Sequence, residues 1–164
     1  MSAARIREMQ AGDAEAVAAM VAELNRHQGY DPALGPDAAA LCRAFLGGAA
    51  RGRLLVAEAA GPILAGYVTL HLNYETTFTS PGAYVGDLYV VPALRRRGIG
   101  RGLLGAAARL VRAGGGDHLW WTALPGNTGG QAFYRRLGAK GEPVVAFVLA
   151  EDAFGRIAAE EERR

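Results

Sequence analysis

The sequence predicts a mixed α/β layer fold in a single domain, residues 1–164. Three observations carry that prediction. Apolar residues recur at helical spacing in several segments, alternating or continuous apolar runs mark strands between them, and turns rich in glycine or proline separate the two periods. At 164 residues the chain has length for one sizeable core and too little for two ordinary enzyme domains.

The elements follow in order. Residues 4–9 alternate and predict a short strand with Ile6 inward and Arg5 and Arg7 outward. Asp13 is placed to cap a helix in which Ala14, Val17, Ala18, Val21 and Leu24 recur. Residues 29–36 hold two prolines and two glycines, which break both periods and predict a loop. Asp37 is placed to cap a second helix through Leu46, closed by Gly47-Gly48. Residues 53–59 and 63–73 read as strands around a tight Ala60-Gly61-Pro62 turn, and 74–82 as a polar hairpin loop or edge extension. Tyr84 to Val91 is a near-continuous apolar run with one acid, Asp87, which predicts a central strand covered on both faces. Pro92 stops it. A glycine-containing turn then opens a helix with Ile99, Leu103, Leu104, Ala107, Leu110 and Val111, ended by Gly114-Gly115-Gly116. Residues 118–124 predict a strand, 127–137 a short helix stopped by Gly138, 143–150 a last strand, and the charged tail a short helix. The resulting order is β-α-α-β-β-β-α-β-α-β, with no internal repeat and no linker.

Composition narrows the function. Apolar residues make up 51% and charged residues 21%, which excludes disorder as the dominant state. No stretch of 18 apolar residues occurs, and the opening ten residues lack an apolar segment, so no membrane partner and a cytoplasmic location are expected. Cys42 is the sole cysteine, so neither an internal disulfide nor a Cys-rich metal site is expected. His27, His71 and His118 lie 44 and 47 residues apart with no ligand spacing, so no metal is expected. Trp120-Trp121 reads as one core and one surface ring. A net charge of +2 gives no sign of a nucleic-acid partner. The distribution is more informative: six arginines and no acids lie between Ala93 and Arg112.

Four of those arginines surround Gly98 and Gly100 between the central strand and the helix. Glycines let backbone amides approach a ligand, the first-turn amides of a helix lack internal partners, and the helix dipole adds positive charge. The turn thus suits a pyrophosphate, or is a helix start with a solvated basic face. No lysine or hydroxyl residue completes a P-loop, and Leu103 stands where a dinucleotide fingerprint needs its third glycine.

The run DLYVVPALRRRGIGRGLL resembles the acyl-CoA-binding signature of the GNAT superfamily of N-acetyltransferases, with Arg95 and Arg96 at its basic positions and Gly98 and Gly100 as its glycines. Residues 127–139 resemble the family's N-x-x-A-x-x-F-Y-x-x-x-G block, with Gly130 in place of the usual alanine. Both blocks occur in the family's order, over residues 84–139. The resemblance implies a central, mostly antiparallel mixed sheet flanked by helices, and acetyl-CoA as cosubstrate. It implies CoA contacts from Leu88, Tyr89, Val90, Arg95, Arg96, Arg97, Gly98, Ile99, Gly100, Arg101, Asn127 and Tyr134. The backbone of Leu88 to Val90 would pair with the pantetheine amides, with an N–H near Tyr89 receiving the thioester oxygen.

Transfer from a thioester to an amine needs the amine deprotonated, the developing oxyanion stabilised and the thiolate protonated. By resemblance Tyr134 is the acid beside the departing sulfur; read alone it is a half-buried ring with a bonded hydroxyl. Asn127 contacts the pantetheine arm, or is simply an N-cap. Asp87 is the candidate base, acting through a water, with Glu75 or Tyr84 as alternatives; equally, Asp87 bonds backbone amides or His71. Relatives of the polyamine type carry Glu-Asp here, but Gly86 precedes Asp87.

The segment 70–84 loosely resembles the aromatic and acidic hairpin of diamine and polyamine acetyltransferases. Tyr30, Tyr74, Glu75 and Tyr84 are therefore candidate contacts for a small cationic amine, with Glu23, His27 and Asp31 closing the pocket. A macromolecular amine, or binding of acyl-CoA without turnover, are the alternative functions. The last strand can pair across a two-fold, so a homodimer is expected.

Overall fold

The computed structural model describes residues 4–59 and 63–161, and the Ala60-Gly61-Pro62 turn lies outside them. The chain divides into two compact units, Met1–Gly126 and Asn127–Arg164.

The first unit contains β1 (Arg5–Glu8), α1 (Ala14–Gln28), α2 (Ala38–Phe45), β2 (Arg53–Glu58), β3 (Leu64–Glu75), β4 (Ser80–Val90), α3 (Ile99–Ala113) and β5 (His118–Trp120). The strands form one sheet in the order β1-β2-β3-β4-β5. The first three pairings are antiparallel, and β4 pairs with β5 in parallel after the α3 crossover. The sheet is thus mixed and mostly antiparallel, with helices packed on it.

The apolar periodicity explains the packing. α1 buries Val17, Met20, Val21 and Leu24 in a cluster with Val56, Tyr67 and Tyr89. Every residue of β3 from Leu64 to Leu70 is buried, so both faces of the sheet are covered there. α3 supplies Ile99, Leu103, Leu104, Ala107 and Val111 and packs on β2, β3 and β4.

Several local expectations change. Arg7 does not point into solvent: it is half-buried, with Nη1 and Nη2 donating to both carboxylate oxygens of Asp13 at 2.6 and 2.9 Å and Nε to Glu58 at 2.7 Å. That pairing takes the Asp13 carboxylate away from the start of α1, where it makes no side-chain cap. Asp37 does cap α2, accepting from the Ala40 N–H at 2.6 Å. The hairpin after Asn73 is an extension of two long strands, with β3 running to Glu75 and β4 starting at Ser80. β4 is covered only in part: Ala83, Val85 and Tyr89 are buried, Asp87 is half-buried and Gly86 is exposed. β5 stops at Trp120 rather than reaching residue 124.

The second unit contains α4 (Thr128–Arg136) and α5 (Glu151–Glu161). Asn127 caps α4 by accepting from the Gly130 N–H at 3.0 Å, and Gly138 follows the helix at φ 90°. Residues 143–150 form no strand, contrary to the sequence pattern, and Phe147 stands 92% exposed. An apolar run alone does not make a strand; the backbone needs a partner, and no described strand pairs with this segment.

Candidate active site

The end of β4 leads through a short Pro92–Leu94 helical turn to two residues with positive φ, Arg96 at 62° and Gly98 at 81°. Gly98 is the N-cap of α3 and offers no side chain to its amides. The Gly102 N–H donates to Gly98 O at 2.9 Å, so the amides before it in the first turn have no carbonyl of the helix to bond. A Cβ at Gly98 would meet nothing within 4 Å, so the turn is open on that side. Arg96, Arg97 and Arg101 are exposed around it. Arg95 is engaged elsewhere: its Nε donates to Val90 O at 2.9 Å, and its guanidinium lies 5.8 Å over the Tyr89 ring. The Ile99 side chain is buried, which leaves only its backbone for a ligand.

The pairing of β4 with β5 ends at Tyr84–Trp120, and from Val85 to Val90 the strand pairs with β3 alone. The Val91 N–H donates to Ala65 O at 2.9 Å. Antiparallel backbone groups alternate sides, so Tyr89 also turns its N–H and C=O to β3, while Leu88 and Val90 turn theirs to the open side. The available amide near Tyr89 is therefore a neighbour's rather than its own.

Asp87 owes its position to a β-bulge. Val68 pairs with Leu88 but Leu70 pairs with Val85, so Gly86 and Asp87 together stand opposite Thr69. The Asp87 N–H donates to the Thr69 hydroxyl at 2.7 Å, and the Tyr67 hydroxyl donates to the Asp87 carboxylate at 3.3 Å. Burial pushes the Asp87 carboxyl up, while the Tyr67 hydroxyl and the charge of His71 pull it back. Burial and the Asp87 charge push the Tyr67 phenol far up. Tyr67 and Thr69 escape a reading based on single residues. Their signal is alternation: Tyr67, Thr69 and His71 occupy every second position of β3 and share one face.

The proposed substrate contacts do not form one group. Tyr84 pairs across the strands with His71, and its hydroxyl lies 3.1 Å from the Thr122 hydroxyl. Glu75 shares that face, but six residues of strand separate it from Thr69, about 20 Å at ~3.3 Å per residue. Alternation sends Tyr74 to the other face, where it is exposed. Tyr30 is exposed just after α1, and Asp31 is occupied in accepting from the Ala33 N–H at 2.9 Å. Glu23 and His27 line a cleft of about 230 Å³ with Arg26, Tyr89, Pro92 and Arg95.

In the second unit, Tyr134 lies on α4 beside Phe133, with ring centroids 5.3 Å apart. Burial pushes its phenol up, so it holds its proton at neutral pH. A Cβ at Gly130 would lie 2.6–2.8 Å from the Asn127 side-chain amide, so a larger residue there would shift the capping side chain. Among the described residues, no group of three or more His, Cys, Asp or Glu is placed to hold a metal ion.

Residues 18–139 match the acetyltransferase (GNAT) family, and the chain belongs to that family. The chain is 30% identical over 78 residues to L-ornithine N5-acetyltransferase NATA1 of Arabidopsis thaliana. That match covers 48% of this chain and about a third (34%) of the relative's length. Among solved structures, an aminoglycoside acetyltransferase from an uncultured soil metagenomic sample, in complex with trehalose, shares the fold at a TM-score of 0.75. It is 20% identical, over 91% of this chain and 97% of that one. AAC(6')-Iy in complex with the bisubstrate analogue CoA-S-monomethyl-acetylneamine is 22% identical at a TM-score of 0.72, over 92% and 99%.

Proposed function

We propose that this protein is an enzyme that transfers an acetyl group from acetyl-CoA directly to a primary amine of a small molecule. The observation that carries the reading is the run from the bulge at Asp87, through the unpaired edge of Leu88 and Val90, to the uncapped α3 start at Gly98. The pyrophosphate is received by the first-turn amides of Ile99, Gly100 and Arg101, with Arg96, Arg97 and Arg101 supplying charge. Arg95 holds the strand end in place. The pantetheine arm pairs with the backbone of Leu88 and the N–H of Val90 as an added strand, the Val90 carbonyl being held by Arg95. Asp87 draws the ammonium by its charge, and the amine must lose a proton before it attacks. The free amine attacks the thioester carbon, a backbone N–H of the open edge stabilises the oxyanion, and Tyr134 protonates the sulfur as the C–S bond breaks.

The acceptor is proposed to be a small polyamine or diamine-like cation. The negative Asp87 and the ring of Tyr84 on one face support a compact cation. The similarity to an ornithine acetyltransferase supports the same class. We propose further that residues 1–164 form one acetyltransferase domain and that the exposed apolar segment 143–150 supports a homodimer.

The test is thiol release from acetyl-CoA with spermidine, putrescine, L-ornithine, L-lysine, neamine and a lysine-containing peptide. Release with one or more small amines, outpacing the peptide, is expected. Release with the peptide alone overturns the substrate class. Stabilisation by CoA without release from any amine leaves a binding module, and neither stabilisation nor release overturns the whole reading.

A further inference from the structure

His71 is the side chain that overhangs the bulge. A Cβ at Gly86 would lie 3.3 Å from His71 Nε2 and 2.9 Å from the Thr69 hydroxyl. A Cβ at Gly52 would lie 3.2 Å from His71 Nδ1 and 3.0 Å from the Phe45 ring. The Phe45 ring leans on the imidazole, with centroids 6.3 Å apart at 50°. Two positions without side chains and one aromatic ring therefore hold the imidazole over Gly86. It remains exposed to solvent, as a group that must release protons each cycle needs to be. Asp87 and Tyr84 on β4 are the titratable groups beside it, and α2 contributes the uncharged Phe45 ring.

Asp87 itself is poorly arranged to exchange protons. Its carboxylate is half-buried and accepts from Tyr67. The position before it, where a glutamate would reach the open side, is Gly86. The space a side chain at 86 would enter is the space the imidazole borders.

We propose that His71 is the general base of the acetyl transfer, with the Asp87 carboxylate beside it on β4. The proposal rests on the transferase reading above and deepens it. His71 Nε2 takes one proton from the ammonium, directly or through one water. The amine nitrogen then forms the C–N bond at the thioester carbon. As the C–S bond breaks, Tyr134 protonates the sulfur, the nitrogen gives its second proton to water, and the phenol recovers one from water. The imidazolium returns its proton to water, so ammonium and acetyl-CoA give amide, CoA thiol and one proton. An imidazole poised this way contributes about 10²–10⁴-fold to the rate.

The experiment follows kcat/KM against pH with the fastest amine of the panel, and thermal stabilisation by CoA in parallel. His71→Gln is expected to lower kcat/KM by about 10²-fold or more, to lose the acid limb of the profile, and to keep the CoA-induced stabilisation. The triple variant Thr69→Ser/His71→Ala/Gly86→Glu is expected to regain at least about tenfold over Thr69→Ser/His71→Ala, because removing the ring and letting the residue-69 hydroxyl turn away clears space for a carboxylate on β4. A His71→Gln enzyme with the wild-type rate and profile overturns the proposal and leaves the transferase reading standing. So does a rate loss matched by loss of CoA-induced stabilisation, or one that leaves the acid limb in place. Absence of thiol release from the wild-type protein with every amine tested overturns the transferase reading instead.

Discussion

Gly98 allows the anion site to be tested with its backbone and charge effects separated. The residue sits at φ 81° with nothing within 4 Å of a Cβ. Gly98→Ala therefore meets no clash, and its cost is conformational, about 1–2 kcal/mol for a left-handed non-glycine residue. For a protein of this size that is a fall in Tm of roughly 2–8 °C. Gly98→Glu has the same conformational cost and places a carboxylate where two phosphate charges are expected. At a separation of about 6 Å, two such repulsions amount to about 1–5 kcal/mol, depending on how well water screens them. CoA at about 100 times its Kd stabilises the wild type by about 2.7 kcal/mol. A tenfold loss of affinity cuts that to about 1.4 kcal/mol, and a thousandfold loss abolishes it. Thermal unfolding with and without CoA reads both quantities. The alanine variant should lose stability and keep more of its CoA response than the glutamate variant, which should lose half or more. A glutamate variant that responds to CoA like the wild type removes the α3 start from the binding site. An alanine variant with an unchanged Tm refutes the backbone argument.

Arg7→Ala should cost about 1–3 kcal/mol in denaturant unfolding, because it removes the shared guanidinium from the half-buried Asp13 and Glu58 carboxylates and leaves them only the Gln10 N–H and the more distant Arg5. The Arg7 hydrogen bond holds the Asp13 carboxyl below its ordinary 3.8. That stabilisation is complete above 3.8 and is lost as pH falls through the lower folded value, so the gap between wild type and variant should narrow in acid. Gly66→Ala should destabilise by about 1–3 kcal/mol and displace β4, since the new Cβ would sit 2.3 Å from the Tyr89 carbonyl oxygen; unchanged stability would contradict the close approach of these strands. Tyr134→Phe should lower single-turnover rates by about 10²–10⁴-fold with little change in CoA affinity, and a wild-type rate would remove the phenol from the mechanism.

Most of the architecture is legible along the chain, because helices and strands that bury one face write their period into the sequence. α1 follows Val17, Val21 and Leu24, and α3 follows Ile99, Leu103, Leu104, Ala107 and Val111. The turn at Gly98 is legible for the same kind of reason: a positive φ and an uncapped helix start are local properties, and local chemistry selects glycine for them. Pairing is not local. The continuous apolar run 143–150 reads as a strand, but none of the described strands pairs with it. Arg7 reads as an outward residue in a four-residue strand, and only the approach of Asp13 and Glu58 makes it a half-buried pair. The bulge opposite Thr69 is a register shift between two strands, invisible in either alone, and it decides that Asp87 shares a face with Tyr67. The same shift brings Gly86 under the ring of a histidine 15 positions earlier in the chain. Sequence specified which residues could do the chemistry; the register between β3 and β4 decided which of them meet, because backbone hydrogen bonding across strands fixes side-chain neighbours that lie far apart along the chain.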